Sequence, residues 1–393
     1  MKKRKNFLNL LHIYIAIFLV IQSASLFSEV FIPEPPSLNA SSYILIEANT
    51  GKVIAEKDAD LQIEPASLTK IMTGYIAADQ ASRGFVNQED KVYISVNCWK
   101  KGGSKMYIRE GTYVLFSDLI KGMVIQSGND ASCAIAEHIA GSEEGFVQLM
   151  MKYADEMELY DTNYTNPHGW PDENHYSTAR DLAKLSQRLI SDFPDHYSLY
   201  REKWFTYSDI KQRNRNSLLW QDESVDGIKT GHTENAGYCL VSSAKKNDTR
   251  FIAVTLNSSS ERTRITDNRR VLDYGFRYFV TKIILAADET LQTETVWGGE
   301  KEVVGLAPST DIFLTLTPKT FKQVDTFISL DKHLQAPLEK GQIVGRVILE
   351  LEGKKVAESQ LITTEEVIAK GFLGRVWSNI KLLVYKFLME EEA

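Results

Sequence analysis

The sequence predicts an α+β protein in which a mixed helix-and-strand domain precedes a smaller all-β domain. The chain has 393 residues, enough for two domains of about 150 residues each. Hydrophobic residues form 43% of it, which suffices for a sizeable core. Strand and helix patterns are mixed up to about residue 280, and short strand patterns alone fill residues 282–363. This order of elements predicts a domain boundary near residue 280.

The amino terminus has the three parts of a secretory signal peptide. Basic residues stand at positions 2–5, an apolar run covers 13–21, and small residues gather at 23–28. The apolar run is shorter than the roughly 20 residues that a membrane-spanning helix needs. We therefore predict a signal peptide over residues 1–28 and an exported protein, with an uncleaved anchor as the alternative.

The elements of the first domain, residues 29–280, follow from local patterns. Two strand-like runs at 43–48 and 52–56 flank Asn49-Thr50-Gly51, which is a hairpin signal. Helices are predicted over residues 67–80, 116–126 and 131–139, from about residue 177, and over 268–279. Strands are predicted over residues 226–231, 237–244 and 251–257. The last three strands are consecutive, so we expect an antiparallel meander.

Charge and cysteine content exclude several classes of protein. With 45 Lys and Arg against 52 Asp and Glu, the net charge is −7, whereas a general nucleic-acid binder needs a basic face. Three cysteines without C-x-x-C spacing indicate neither a zinc site nor a dense disulfide framework. Cys133 and Cys239 lie in apolar runs, so we predict that both are small buried hydrophobic residues rather than reactive thiols.

Three short motifs stand in order along the first domain: Ser67-Leu68-Thr69-Lys70, Ser127-Gly128-Asn129 and Lys229-Thr230-Gly231. Each motif alone is weak, but the ordered set S-x-x-K, S-x-N and K-T-G is typical of class A β-lactamases and penicillin-binding proteins. Residues three apart on a helix share one face, so the Lys70 amine can reach the Ser67 hydroxyl and act as its base.

The other two motifs supply polar groups to the same predicted cleft. Ser127 and Asn129 lie on a tight turn between two predicted helices, a turn that Gly128 is expected to permit. Lys229 and Thr230, at a strand, offer a cation and a hydroxyl that suit a substrate carboxylate. The alternative for each motif taken singly is a helix cap or a solvated strand end.

The chain resembles the low-molecular-mass penicillin-binding proteins that act as serine-type D-alanyl-D-alanine carboxypeptidases, the penicillin-binding protein 5 group. The resemblance covers nearly the whole mature chain. Its matching segments are residues 65–73, 122–131, 175–181, 226–233, 296–297, 340–341 and 371–377. It implies a β-lactamase/transpeptidase-like domain, with an antiparallel sheet flanked by helices, followed by a small all-β sandwich at 281–364 and a C-terminal amphipathic membrane-associating helix within 365–393.

The same resemblance implies a role for each residue of the motifs. Ser67 would attack the carbonyl of the penultimate D-Ala, Lys70 would take its proton, and Ser127 would pass a proton to the leaving D-Ala. The implied substrate-binding residues are Asn129, Lys229, Thr230, Gly231, His232, Arg262 and Arg264. Asn129 would hold the acyl side, Lys229 and Thr230 the terminal carboxylate, and backbone N–H groups of Ser67 and His232 the oxyanion. Only one of the two arginines would support the carboxylate, and no metal or cofactor is expected.

The implied partners are peptidoglycan stem peptides ending in D-Ala-D-Ala, β-lactam antibiotics as covalent inhibitors, and a membrane surface. Residues 367–389 carry four bases, no acids and apolar residues at helical spacing. That pattern is typical of a helix lying in a membrane interface, with docking on its own protein as the alternative. Relatives use such a tail at the periplasmic face of the cytoplasmic membrane, so we expect a peripheral location there.

Two other functions compete with the carboxypeptidase. A β-lactamase (or a DD-endopeptidase) would use the same fold, but residues 150–180 hold no E-x-x-L-N pattern for deacylation, although Glu158 and Glu173 are present. A catalytically idle wall or membrane adaptor would not need the intact motifs. Two positions depart from the family pattern, since Trp170 stands where Leu is more frequent and Glu158 replaces a usual Gly.

Overall fold

A computed structural model describes residues 32–390 of the chain. The predicted signal peptide lies outside the described residues. The strands of the first domain are β1 (Ser42–Glu47), β2 (Val53–Lys57), β3 (Lys91–Tyr93), β4 (Tyr113–Leu115), β5 (Trp204–Tyr207), β6 (Ile210–Arg213), β7 (Val225–Thr233), β8 (Gly237–Lys246) and β9 (Thr249–Ser258). Its helices are α1 (Lys70–Ser82), α2 (Val96–Lys100), α3 (Phe116–Ile125), α4 (Asn129–Ala140), α5 (Glu143–Glu156), α6 (Ala179–Asp192), α7 (Pro194–Tyr197) and α8 (Glu261–Tyr278).

A five-stranded antiparallel sheet in the order β2-β1-β9-β8-β7 forms the middle of this domain. Side chains of β1 alternate between two cores: Ile44 and Ile46 face the large helical layer, and Tyr43 and Leu45 face the side that α8 covers. Burial on both faces explains why these strands are nearly continuous apolar runs. The predicted meander is present, and β7, which carries the third motif, is an edge strand.

Side-chain caps fix where the helices begin. The Ser260 hydroxyl accepts the backbone N–H of Thr263 at 3.0 Å, so α8 begins at Glu261. The predicted start at residue 268 is wrong because the first two turns are mostly charged and lack apolar periodicity. Thr178 caps α6 in the same way through the N–H of Asp181, at 3.1 Å, close to the predicted start.

A disulfide joins Cys98 in α2 to Cys133 in α4, with their Cα atoms 5.2 Å apart. The prediction that Cys133 is simply a small buried hydrophobic residue is therefore wrong. The pairing was missed because the two cysteines are 35 positions apart in the sequence, and only the tertiary fold brings them together. Cys239 is free and buried, as predicted.

The second domain is built from strands and one short 3-10 helix, Thr320–Gln323. The strands are β10 (Val280–Leu285), β11 (Gln292–Trp297), β12 (Val303–Pro308), β13 (Ile312–Leu316), β14 (Val324–Leu330), β15 (Leu334–Gln335), β16 (Ile343–Leu351) and β17 (Lys354–Thr363). A six-stranded sheet in the order β14-β16-β17-β12-β11-β15 and the pair β10-β13 enclose one hydrophobic core. This arrangement agrees with the predicted small β domain.

Polar contacts join the β domain to the first hairpin of the catalytic domain. Lys52 donates from Nζ to the carbonyl of Thr315 at 2.8 Å, and the hydroxyls of Thr50 and Thr315 are 3.1 Å apart. The buried carboxylate of Glu47, at the end of β1, accepts from the Thr50 N–H at 2.8 Å and from the Thr315 hydroxyl at 3.3 Å. Buried hydrogen bonds to a carboxylate are strong, so these contacts hold the two domains together.

The last helix, α9 (Phe372–Glu390), rests on the β domain along one edge. Ser378 accepts the backbone N–H of Gly298 at 2.7 Å, Leu382 is buried, and the Tyr385 ring lies 5.6 Å from that of Trp297. Seven other large apolar side chains of this helix are exposed: Phe372, Leu373, Val376, Trp377, Ile380, Leu383 and Val384. Within residues 32–390, no helix combines the length and the apolar character needed to cross a bilayer.

Candidate active site

Ser67 lies in a 3-10 turn, Ala66–Thr69, that leads directly into α1. Two glycines from other segments pack closely against this turn. A Cβ on Gly231 of β7 would lie 2.8 Å from the Pro65 carbonyl oxygen, and one on Gly169 would lie 1.8 Å from the Ala66 carbonyl oxygen. Larger residues would push β7 or the 160–177 loop away from Ser67, so both glycines are needed for close approach.

Lys70 begins α1 and is almost completely buried. Its Nζ donates to Ser67 Oγ at 3.0 Å, to Asn129 Oδ1 at 2.7 Å and to the carbonyl oxygen of His168 at 2.5 Å. Burial lowers the pKa of Lys70 to about 7, and the negative charge of Asp130 opposes part of that shift. An amine that is half neutral at pH 7, mostly neutral at pH 8 and in contact with the serine hydroxyl can act as its base.

Ser127 and Lys229 form the opposite side of the site. Lys229 is buried and its Nζ donates to Ser127 Oγ at 2.8 Å. Burial lowers the pKa of Lys229, and the positive charges of Lys70, Arg215 and Arg264 lower it further. A bound carboxylate would have the opposite effect, so this lysine is suited to hold an anion.

The turn between α3 and α4 differs from the prediction in one respect. Ser127, not Gly128, takes the left-handed conformation, with φ of 65° against −59° for the glycine. Gly128 is needed for space, because a Cβ there would lie 2.8 Å from Asp130 Oδ1 and 3.1 Å from the Met106 nitrogen. A non-glycine residue at positive φ is uncommon and occurs preferentially at functional sites.

Asn129 ties this turn to the chain that precedes α3. Its Nδ2 donates to the carbonyl of Gly102 at 2.9 Å, and its backbone N–H donates to the carbonyl of Ser104 at 2.7 Å. Asp130 accepts the backbone N–H groups of Met106 and Tyr107 at 2.8 and 2.9 Å. The 102–107 segment is therefore fixed as one wall of the site.

The third motif presents polar groups from the edge strand. Thr230 is buried beside Lys229, and His232 is exposed with its ring 4.1 Å from that of Tyr238. An edge strand offers backbone N–H and C=O groups that no neighbouring strand uses. The two N–H groups predicted for the oxyanion, of Ser67 and His232, therefore belong to the catalytic turn and to the edge strand that faces it.

The structure distinguishes the two candidate arginines. Arg264 is buried, its Nη1 donates to the carbonyl of Gly231 at 3.2 Å, and its guanidinium lies 5.5 Å from the Tyr238 ring. Arg262 is exposed, and its carbonyl accepts the Thr266 hydroxyl within α8. Only Arg264 is thus brought to the third motif.

Sequence reasoning missed two groups that hold the site. The backbone carbonyl of His168 accepts from Lys70, and no residue type signals a backbone acceptor. His175 accepts the N–H of Thr165 at Nδ1, at 3.0 Å, so its Nε2 donates to the Thr69 hydroxyl 2.7 Å away. Burial lowers the pKa of His175 to about 4, which keeps it neutral in this position. Its place in the matched segment 175–181 was the available signal.

A cleft of about 530 Å³ opens beside Ser67. Its lining comes from the catalytic turn, the 102–107 segment, the start of α4, the 160–177 loop and the end of β7 with the turn that follows: Ser67, Gly103, Ser104, Asn129, Gly169, Trp170, Pro171, His232, Thr233, Glu234 and Asn235. Glu158 and Glu173, the two glutamates considered for a β-lactamase, are both exposed and do not line it. Glu158 has φ of 57°, which explains why Gly is usual there.

Comparison with known proteins gives the family. A family model described as D-alanyl-D-alanine carboxypeptidase, peptidase S11, matches residues 29–260, and one described as penicillin-binding protein 5, C-terminal domain, matches residues 279–369. Among curated proteins, D-alanyl-D-alanine carboxypeptidase DacC of Escherichia coli (strain K12) is 38% identical over 378 residues, 94% of each chain. DacA of the same organism is 39% identical over 362 residues, 90% of each chain.

Solved structures agree with this result. Penicillin-binding protein 5 from Haemophilus influenzae matches with a TM-score of 0.78 and 39% identity, covering 86% of this chain and 99% of that one. Penicillin-binding protein 6B from Escherichia coli matches with a TM-score of 0.70 and 34% identity, covering 84% and 97%. The predicted fold class and family are confirmed: the chain belongs to the D-alanyl-D-alanine carboxypeptidases of serine peptidase family S11, in the penicillin-binding protein 5 group.

Proposed function

We propose that this protein removes the terminal D-Ala from peptidoglycan stem peptides ending in D-Ala-D-Ala, through an acyl-enzyme on Ser67. The observation that carries the proposal is the buried Lys70 amine, 3.0 Å from Ser67 Oγ with its pKa lowered to about 7. A serine hydroxyl is a weak nucleophile at its free pKa, so a base in hydrogen-bond contact is the main requirement for attack.

Substrate binding uses the third motif. The terminal carboxylate of the peptide is held by Lys229 and the Thr230 hydroxyl. The hydrogen bond to the Gly231 carbonyl places the positive charge of Arg264 next to the same strand. The peptide lies along the edge strand β7, where free backbone groups pair with it as an added strand would. This placement brings the penultimate carbonyl to Ser67.

Acylation then proceeds in two proton transfers. Ser67 Oγ attacks the carbonyl carbon while its proton passes to neutral Lys70, and the oxyanion receives the N–H groups of Ser67 and His232. As the C–N bond breaks, the proton that Lys70 took from Ser67 passes to the leaving D-Ala amine by way of the Ser127 hydroxyl, whose oxygen Lys229 holds by a hydrogen bond. Both lysines thus return to the protonation states in which they began. Water subsequently hydrolyses the ester on Ser67. β-Lactams acylate the same serine and are released slowly.

The test measures D-Ala release and penicillin labelling on the same preparation. Residues 29–366 are incubated with a peptide ending in D-Ala-D-Ala and separately with benzylpenicillin, next to the Ser67→Ala variant. We expect D-Ala release and stable labelling for the wild type and neither for Ser67→Ala. Rapid penicillin turnover without D-Ala release would assign a β-lactamase instead. Absence of both reactions in the wild type would leave only the adaptor.

We further propose that the exported protein sits at the periplasmic face of the cytoplasmic membrane, held by α9 within residues 367–389. Support comes from the exposed apolar side chains of α9, which point away from the edge that contacts the β domain. Four basic residues in this segment favour an anionic surface: Lys370, Arg375, Lys381 and Lys386.

Two single-charge variants test the membrane contact. Leu383→Asp places a charge among the exposed apolar residues, whereas Asn379→Asp adds the same charge at an exposed polar position of α9. We expect sedimentation with anionic liposomes to be lost for Leu383→Asp and for deletion of residues 367–393, and largely retained for Asn379→Asp. Unchanged binding after the deletion would refute this anchor.

A further inference from the structure

Trp170 separates the catalytic cleft from a second cavity. The second cavity has a volume of about 710 Å³, larger than the cleft, and both are lined by Asn129 and Trp170. The indole lies on the 102–103 backbone: a Cβ on Gly102 would be 3.1 Å from its Cη2, and one on Gly103 would be 3.3 Å from its Cζ3. The ring thus bridges two walls of the site directly above Asn129.

The loop holds Trp170 in this position. The Asn166 side chain accepts the backbone N–H groups of Gly169 and Trp170 at 2.8 and 2.9 Å, and donates to the Trp170 carbonyl at 3.0 Å. Gly169, with φ of 81°, presses against Ala66 in the turn that carries Ser67. Trp170 is therefore fixed relative to the nucleophile although half of its surface is exposed.

The second cavity is polar. The buried imidazole of His168 places Nε2 3.3 Å from Glu143 Oε1, and Lys101 and Asn97 bind the other carboxylate oxygen of Glu143. Removal of the indole would join this space to the cleft alongside the Asn129 side chain. The enlarged cleft would then be lined by polar as well as apolar groups. The indole and Pro171 thus form, with Asn129, the boundary between the two cavities.

We propose that Trp170 is a specificity-determining residue that closes the acyl-side end of the cleft and favours substrates with an unbranched acyl part. The inference rests on the proposed function. An acyl chain bound to Ser67 and running past Asn129 meets the indole next, because Asn129 borders both cavities. A slender peptide passes the ring, whereas a bulky branch at the residue before D-Ala-D-Ala collides with it.

The experiment compares two peptides that differ only in one side chain. Both have the sequence Nα-acetyl-Lys-D-Ala-D-Ala, with Nε either acetylated or carrying a naphthoyl group. We expect the wild type to prefer the acetyl peptide in kcat/KM by at least about tenfold, a typical effect of steric exclusion from a pocket. Trp170→Ala should reduce the preference to within about threefold by raising kcat/KM for the naphthoyl peptide.

Three controls separate this role from a structural one. Trp170→Phe keeps a ring over the glycines and should retain most of the preference. Trp204→Ala removes a similarly exposed Trp that lines neither cavity and should leave it unchanged. Acylation by 6-aminopenicillanic acid, which has no acyl branch, should still occur in Trp170→Ala and reports an intact nucleophile and base.

The outcomes are distinguishable. An undiminished preference in a Trp170→Ala protein that still reacts with 6-aminopenicillanic acid overturns the role of Trp170 and leaves the proposed function standing. If Trp170→Ala no longer reacts with 6-aminopenicillanic acid, Trp170→Leu with normal circular dichroism takes its place. The role of Trp170 is then overturned unless Trp170→Leu shows the reduced preference for the acetyl peptide. A wild type that neither releases D-Ala nor is acylated overturns the proposed function itself.

Discussion

Acylation of Ser67 should slow as the pH falls through the pKa of Lys70. Burial lowers that pKa to about 7, and only the neutral amine can accept the serine proton. With a pKa of about 7, the neutral fraction is about 91% at pH 8 and about 9% at pH 6. We therefore expect the second-order rate constant for acylation to fall about tenfold between these values, and to be nearly constant above pH 8.

A fluorescent penicillin provides the assay, with labelling rates measured from pH 5.5 to 9.5 at constant ionic strength. Lys70→Arg should be nearly inactive at every pH because arginine does not lose its proton in this range. Burial also lowers the pKa of Lys229, so its titration has to be distinguished from that of Lys70. Lys229→Arg is the decisive control, because arginine keeps its positive charge at every pH used. In this variant the decrease of the labelling rate should still occur near pH 7, even if the rate is lower at every pH. A fall that disappears in Lys229→Arg, or a flat profile in the wild type, would refute the assignment to Lys70.

Two further predictions concern stability. Cys98→Ser with Cys133→Ser should lower the free energy of unfolding by about 4 kcal/mol, from the entropy of closing a 35-residue separation; denaturant unfolding checks this, and a loss below about 1 kcal/mol would contradict it. Gly74→Ala should destabilise by about 1–3 kcal/mol, because the new Cβ would lie 2.3 Å from Tyr200 Oη, outweighing a helix-propensity gain of about 1 kcal/mol. The Tyr200 hydroxyl is buried without a hydrogen-bond partner among the described residues, so Tyr200→Phe should reduce the loss in the double variant; equal losses in both backgrounds would rule out this contact.

Much of the fold was predictable because its signals are local. Asn49-Thr50-Gly51 marked the first hairpin, and apolar runs marked the three strands of the meander, since a sheet covered on both faces requires nearly continuous hydrophobic strands. The early start of α8 was not predictable from periodicity, because its cap at Ser260 is followed by charged residues.

The site was predictable where side chains carry the chemistry and not where the backbone does. Ser67, Lys70, Ser127 and Lys229 were predicted from their motifs, and in the structure Lys70 contacts Ser67 at 3.0 Å and Lys229 contacts Ser127 at 2.8 Å. The carbonyl of His168 leaves no trace in residue types.

Long-range pairings were likewise outside the reach of the sequence. The Cys98–Cys133 bond connects residues whose spacing matches no local motif, and the choice of Arg264 over Arg262 depended on which face of α8 meets Gly231. In each case the deciding contact lies between elements far apart in the chain.

The hydrogen bonds of Glu47, Thr50 and Lys52 to Thr315 have a consequence for how the enzyme works on an extended polymer. They fix the β domain, and with it α9, to the β1-β2 hairpin of the catalytic domain. If α9 lies on the membrane as proposed, the cleft stands at a fixed height above the lipid surface. The enzyme would then reach only the peptidoglycan strands that lie at that distance from the membrane.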